Sequence, residues 1–173
     1  MGFKLFLVLE HILMILPRWF RKNFFIFLAT LAYHLSSRYR TVGFKNLDFI
    51  FGDTISLEQK RAIVKYSFQN LLLNFYHLMN IKKMKKDDVL RVVTAQNLEV
   101  VESIKAQNRP IVYIAAHYGA WELGVLAVGV YTSSITGVFK KMKDKRYQKW
   151  MIDARSSLGN IFLEKASAMK PLM

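Results

Sequence analysis

The 173 residues carry 26 Lys+Arg against 12 Asp+Glu, a formal net charge of +14, and 53% of them are hydrophobic. That apolar content excludes an intrinsically disordered chain, and the absence of cysteine excludes disulfides, Cys-ligated zinc and thiol catalysis. The positive charge points to anionic partners, and the N-terminal third selects a lipid surface among them.

Phe3 to Leu16 is almost wholly apolar. As a helix it extends about 21 Å, short of the roughly 30 Å hydrocarbon thickness of a bilayer. Pro17 interrupts, Arg18, Arg21 and Lys22 follow, and a second apolar run covers Phe24 to Leu35. A single span would carry that basic cluster to the bilayer centre, at about 2.5–3.5 kcal/mol per charge. The pattern instead predicts two helices lying in one leaflet, with Trp19 and the basic cluster at headgroup level. Residues 1–50 are thus read as a helical membrane-attachment segment. The following Arg38, Arg40 and Lys45 favour a cytoplasmic location for the body of the protein. A cleaved signal peptide fits poorly, because Glu10 and His11 interrupt the apolar region and no small-residue cleavage site follows. An ordinary buried helical core is the competing reading.

Ser56-Leu57-Glu58-Gln59 has the form of a capping box. The helix it opens, about 57–80, places Ile63, Phe68, Leu71, Leu72, Phe75, Leu78 and Met79 at helical spacing. His77 on this helix reads as structural. Lys82 to Lys86 is a basic linker or a lipid-facing edge. Val89 to Val93 is a strand candidate, Leu98 to Gln107 a short helix, and Asn108-Arg109-Pro110 a turn. Ile111 to Ala116 is a continuous apolar, β-branched run, expected to be a strand buried on both faces. Trp121–Tyr131 follows as a helix, Ile135–Phe139 as a strand, Asp144–Leu158 as a helix and Asn160–Leu163 as a strand. Alternation of this kind predicts an α/β domain over residues 51–173, a mostly parallel sheet with flanking helices. Lys165 to Met173 reads as the start of one more helix. A sheet of three or four strands is small for the class, so the domain is expected to be incomplete at its C-terminus.

The most informative segment is Ala116-His117-Tyr118-Gly119-Ala120-Trp121-Glu122. A buried strand would deliver His117 to its carboxyl end, where open α/β sheets place their ligand sites. On one continuous helix His117 and Glu122 would point about 140° apart, but a strand–turn–helix path through Gly119 can fold the carboxylate back toward the imidazole. Glu122 could then fix the tautomer and support the imidazolium, leaving His117 to deprotonate a substrate hydroxyl as general base. The alternative is a strand-end His bonded to backbone, with Glu122 complementing the helix dipole.

The run HYGAWE, behind a strand and downstream of a basic membrane-binding N-terminus, resembles the late lauroyl and myristoyl acyltransferases of lipid A biosynthesis, within the lysophospholipid acyltransferase superfamily. Arg40-Thr41-Val42 with Asn46-Leu47 resembles that family's entry to its first capped helix, and Asn70 and Asn74 fit the end of that helix. Phe139-Lys140 through Arg155, with Gly159 beyond, resembles its second block. The resemblance implies a glycerolipid acyltransferase-like fold, His117 as general base and Glu122 as its acidic partner. It implies substrate binding by Arg155 and by Lys140, although Lys140 stands where the family usually has Arg and lacks the bidentate fork. Members of the family are longer, and their later block with a Pro-Asp element has no counterpart here, so an N-terminal portion is implied.

The implied reaction is transfer of an acyl chain from acyl-acyl carrier protein to a hydroxyl of a phosphorylated lipid A precursor, at the cytoplasmic face of the bacterial inner membrane. The charge fits independently: the carrier protein, the phosphorylated acceptor and the inner-membrane lipids are all anionic. Residues 140–149 hold Lys140, Lys141, Lys143, Lys145, Arg146 and Lys149, either a docking patch or a solvated helix face. No cofactor is implied, and the four His lack metal-ligand spacing. Nucleic acid is not an expected partner, since no helix-turn-helix, zinc or RNA-recognition signature occurs. A related enzyme acting on another glycolipid or glycerolipid, and a non-catalytic membrane-binding fragment, are the remaining alternatives.

Overall fold

A computed structural model describes residues 2–168 of the chain, apart from the side chain of Ser167. Pro17 separates the first two helices, α1 (Gly2–Ile15) and α2 (Arg18–Leu35). Its ring cannot continue a helix, but its carbonyl accepts from the Arg21 amide at 3.1 Å and starts the next one. A break at Ser36 gives α3 (Ser37–Phe51), a third helix beyond the two that the apolar runs predict. Arg40 reaches back across this break. Its Nη1 donates to the carbonyls of Tyr33 at 2.7 Å and His34 at 2.8 Å, satisfying the last turn of α2. The capping box forms as expected: the Ser56 amide donates to Gln59 Oε1 at 2.7 Å, and the Gln59 amide to Ser56 Oγ at 3.2 Å. It opens α4 (Leu57–Ile81).

Leu5–Tyr76 forms one compact unit. Its core holds Phe25, Ala29, Leu47 and Val64, and Lys60 on α4 pairs with Asp48 on α3 at 2.6 Å. Arg18 and Lys22 are exposed, but Arg21 is buried, its Nη1 donating to Met14 Sδ at 2.7 Å. The basic cluster therefore does not lie entirely at the surface. Leu5, Val8, Leu9, Ile12, Trp19, Phe27 and Leu35 are exposed. Among the described residues no helix is long and apolar enough to cross a membrane.

The second unit is made by the start of the chain, up to Lys4, with His77 onward. It contains α5 (Lys86–Val92), α6 (Leu98–Ala106), α7 (Trp121–Tyr131), β1 (Thr136–Phe139), α8 (Lys145–Arg155), β2 (Ile161–Glu164) and a 3₁₀ turn at Lys165–Ser167. The strands β1 and β2 pair in parallel, from Thr136 opposite Ile161 to Phe139 opposite Glu164, with α8 as the crossover. Asn160 is buried at their entrance. Its Nδ2 donates to the Val125 carbonyl at 3.1 Å, and its Oδ1 accepts from the Ile135 amide at 3.3 Å. This brings Asn160 against α7 at Gly129, where a Cβ would stand 2.1 Å from Oδ1.

Four expectations are corrected. Val89 to Val93 lies mostly in a helix, because local signals outweigh its β-branched content: the Asp88 carboxylate accepts from the Lys85 amide at 2.9 Å, Asp87 and Asp88 occupy the first turn, and Arg91 pairs with Asp88. Ile111 to Ala116 is not a buried strand. Among the described residues no strand pairs with it, and Val112 and Ile114 are 85% and 94% exposed; β-branched composition supplies propensity, but a strand is stabilised by its neighbours. The chain is consequently mostly helical, with eight α-helices and a two-stranded parallel sheet among the described residues, rather than an α/β domain on a sheet of three or four strands. The further helix expected after Lys165 is a 3₁₀ turn as far as Ser167, and most of its remainder lies outside the described residues.

Replacing Ser56 by Ala removes the acceptor for the Gln59 amide. The expected loss is about 1 kcal/mol, read as an earlier urea midpoint for helical circular dichroism, with Ser56→Asp retaining most of the wild-type value.

Candidate active site

The segment carrying His117 leaves the extended run Ile111–Ala116 through a tight turn. The Tyr118 amide donates to the Ala116 carbonyl at 2.9 Å, and Gly119 follows at φ +58°, a left-handed conformation in which a side chain is strained. The chain then enters α7, whose first turn closes between the Ala120 carbonyl and the Gly124 amide at 2.9 Å. His117 is exposed, and its ring stands 5.4 Å from that of Trp121. Among the described residues no hydrogen bond joins His117 to Glu122.

Glu122, the second residue of α7, is buried. Its carboxylate is held by Arg155, at the C-terminus of α8, through two parallel bonds: Nε donates to Oε2 at 2.8 Å and Nη2 to Oε1 at 2.6 Å. Only 7% of the Glu122 side chain and 21% of the Arg155 side chain remain exposed. Each charge also sits at the helix end whose dipole favours it, the anion at the start of α7 and the cation at the end of α8. Trp150 and Ala154, both buried, seat α8 at this point.

Lys140 is exposed immediately after β1. In the basic stretch that follows, Lys141 pairs with Glu164 at 3.9 Å, Arg146 with Asp144 at 2.6 Å and Lys149 with Asp153 at 2.9 Å. Among the described residues Lys140, Lys143 and Lys145 form no ion pair. Asp144 is the N-cap of α8, accepting from the Arg146 amide at 2.9 Å. The Arg146 side chain, bonded to both Asp144 oxygens, is the main cause holding this carboxyl down at about 2, from an ordinary 3.8.

The structure thus joins Glu122 to Arg155 and leaves His117 and Lys140 exposed on their own segments. The pair spans 33 residues, which local pattern reading does not reach. One signal was available: Glu122 is the only acidic residue between Glu102 and Asp144. Asn160, which ties β2 to α7, carried no signal beyond its place before a strand.

Comparison with protein families places the chain among acyltransferases. The family model described as bacterial lipid A biosynthesis acyltransferase matches residues 2–173, and the chain belongs to that family. No curated protein and no solved structure matches it. Membership implies acyltransferase activity, with an acyl donor and a lipid A precursor as acceptor.

Arg155→Ala leaves a buried carboxylate without its cation and is expected to cost about 3 kcal/mol of stability, measured by urea unfolding. The Asp144 cap has a distinct pH signature. Its folded pKa is depressed, so its contribution is complete above the ordinary 3.8 and is lost as pH falls through about 2. Amide exchange in the first turn of α8 should rise across that window, and Asp144→Asn should abolish the dependence.

Proposed function

We propose that the protein transfers an acyl chain from acyl-acyl carrier protein to a hydroxyl of a phosphorylated glucosamine lipid, with His117 as general base and Glu122 as its acidic partner. The observation that carries this reading is a buried carboxylate fixed at the N-terminus of α7, five residues after an exposed imidazole, in a chain of the lipid A acyltransferase family. One imidazole nitrogen removes the hydroxyl proton and the alkoxide attacks the thioester carbonyl. The tetrahedral oxyanion then collapses, expelling the carrier's thiolate, which takes up the proton from the imidazolium. Glu122 stabilises that imidazolium. This requires the imidazole to come within hydrogen-bond reach of the carboxylate, and contacts of this kind commonly tighten only in the substrate complex. The turn at Gly119 is the place where the movement is absorbed.

Lys140, exposed beyond β1, faces the acceptor's phosphate as a point charge. The segment 1–50 holds the protein on the cytoplasmic face of the inner membrane through the exposed apolar residues of α1 and α2, with Arg18 and Lys22 toward anionic headgroups. The chemistry belongs to residues 51–173.

His117→Ala is expected to lower the transfer rate by about 10²- to 10⁴-fold while the protein still floats with anionic vesicles. A rate near wild type in this variant would remove the general-base assignment.

A further inference from the structure

We propose that Arg155 is a positioning residue that fixes the Glu122 carboxylate, rather than a cation that binds the acceptor; this rests on Glu122 acting as the partner of His117. A guanidinium offers five N–H donors in a rigid fork. In this protein the Nε–Nη2 edge, one of the edges of the fork that can grip a phosphate bidentately, is engaged by the two Glu122 oxygens at 2.8 and 2.6 Å. An acceptor phosphate could take that edge only by displacing a carboxylate whose side chain is 7% exposed, at the cost of both of its bonds to the guanidinium. The pair is also electrically neutral as a unit, so it exerts little pull on an approaching anion. Exposed cations that form no ion pair among the described residues stand elsewhere in the same unit, at Lys140, Lys143 and Lys145.

The fork takes one lone-pair direction on each carboxylate oxygen of Glu122. Arg155 is itself anchored: it follows Ala154, which is fully buried, and its Cζ lies 6.0 Å from the centre of the Phe162 ring on β2. The carboxylate plane is therefore set by α8 and β2 together, before any substrate arrives.

The test uses the full chain in membranes, with acyl-acyl carrier protein as donor and a phosphorylated glucosamine lipid as acceptor, comparing Arg155→Gln, Arg155→Lys, Glu122→Gln and the Arg155→Gln/Glu122→Gln double variant. A positioning role predicts that Arg155→Gln lowers kcat by about tenfold or more, with acceptor KM and directly measured acceptor Kd within about twofold. It predicts that the double variant is little worse than Glu122→Gln, because both changes break the same interaction. Arg155→Lys, which keeps the charge but loses the fork, should fall between wild type and Arg155→Gln, and it serves as the variant to read if Arg155→Gln does not fold. Acceptor KM or Kd raised about tenfold with kcat preserved would overturn the proposal. So would losses at 155 and 122 that multiply, or wild-type parameters in both Arg155 variants. His117→Ala in the same assay reports separately on the general base. A wild-type rate there, with coupled losses at 155 and 122, removes the base and keeps the coupling; an inactive His117→Ala with multiplying losses does the reverse.

Discussion

The second unit depends on one ion pair. Glu122 and Arg155 come from the first turn of α7 and the last turn of α8, so their two parallel bonds fix the start of one helix against the end of the other. A buried pair of this kind adds little net stability over apolar packing, since desolvation consumes most of the attraction. Its effect is on arrangement: neither charge can shift without breaking both bonds of the pair. Asn160 works to the same end from the opposite side, bonding to Val125 on α7 and to Ile135 before β1, and it fits only because Gly129 presents no side chain. A short two-stranded sheet thereby holds a helix and its carboxylate in a defined place.

The other unit follows a different logic. Leu5–Tyr76 is wholly helical among its ordered elements, and it buries few large side chains while exposing many. Several of its charges serve local structure. Arg40 satisfies the end of α2, Lys60 ties α4 to α3 through Asp48, and Arg21 lies buried beside Met14. Such a unit is built to present apolar surface rather than to enclose it, and it fits a family whose substrates are lipids.

Local signals were legible in the sequence and pairing was not. Pro17, the Ser56–Gln59 box, and the starts of α7 and α8 are short-range features, governed by capping and steric rules acting over a few residues, and they fall where the residues put them. The parallel orientation of β1 and β2 also followed from the helix between them. Val89–Val93 was misread because apolar content was weighed above Asp87 and Asp88, which favour a helix start. Ile111–Ala116 was misread because burial was inferred from composition, whereas a strand needs a neighbour to hydrogen-bond. The sequence marks His117, Glu122, Lys140 and Arg155 as candidate site residues. The link between two of them, across 33 residues, lay beyond any pattern of spacing.

The exposed run Ile111–Ala116 has a practical consequence. Six uncharged residues, four of them β-branched or aromatic at adjacent positions and none of them proline, pair with no strand among the described residues, and Val112 and Ile114 stand exposed. That composition is the signature of segments that stack between molecules into insoluble sheets. Concentrating the isolated polypeptide thus carries an inherent precipitation hazard, and a charged or proline substitution on the outward positions Val112 and Ile114 is the natural gatekeeper against it.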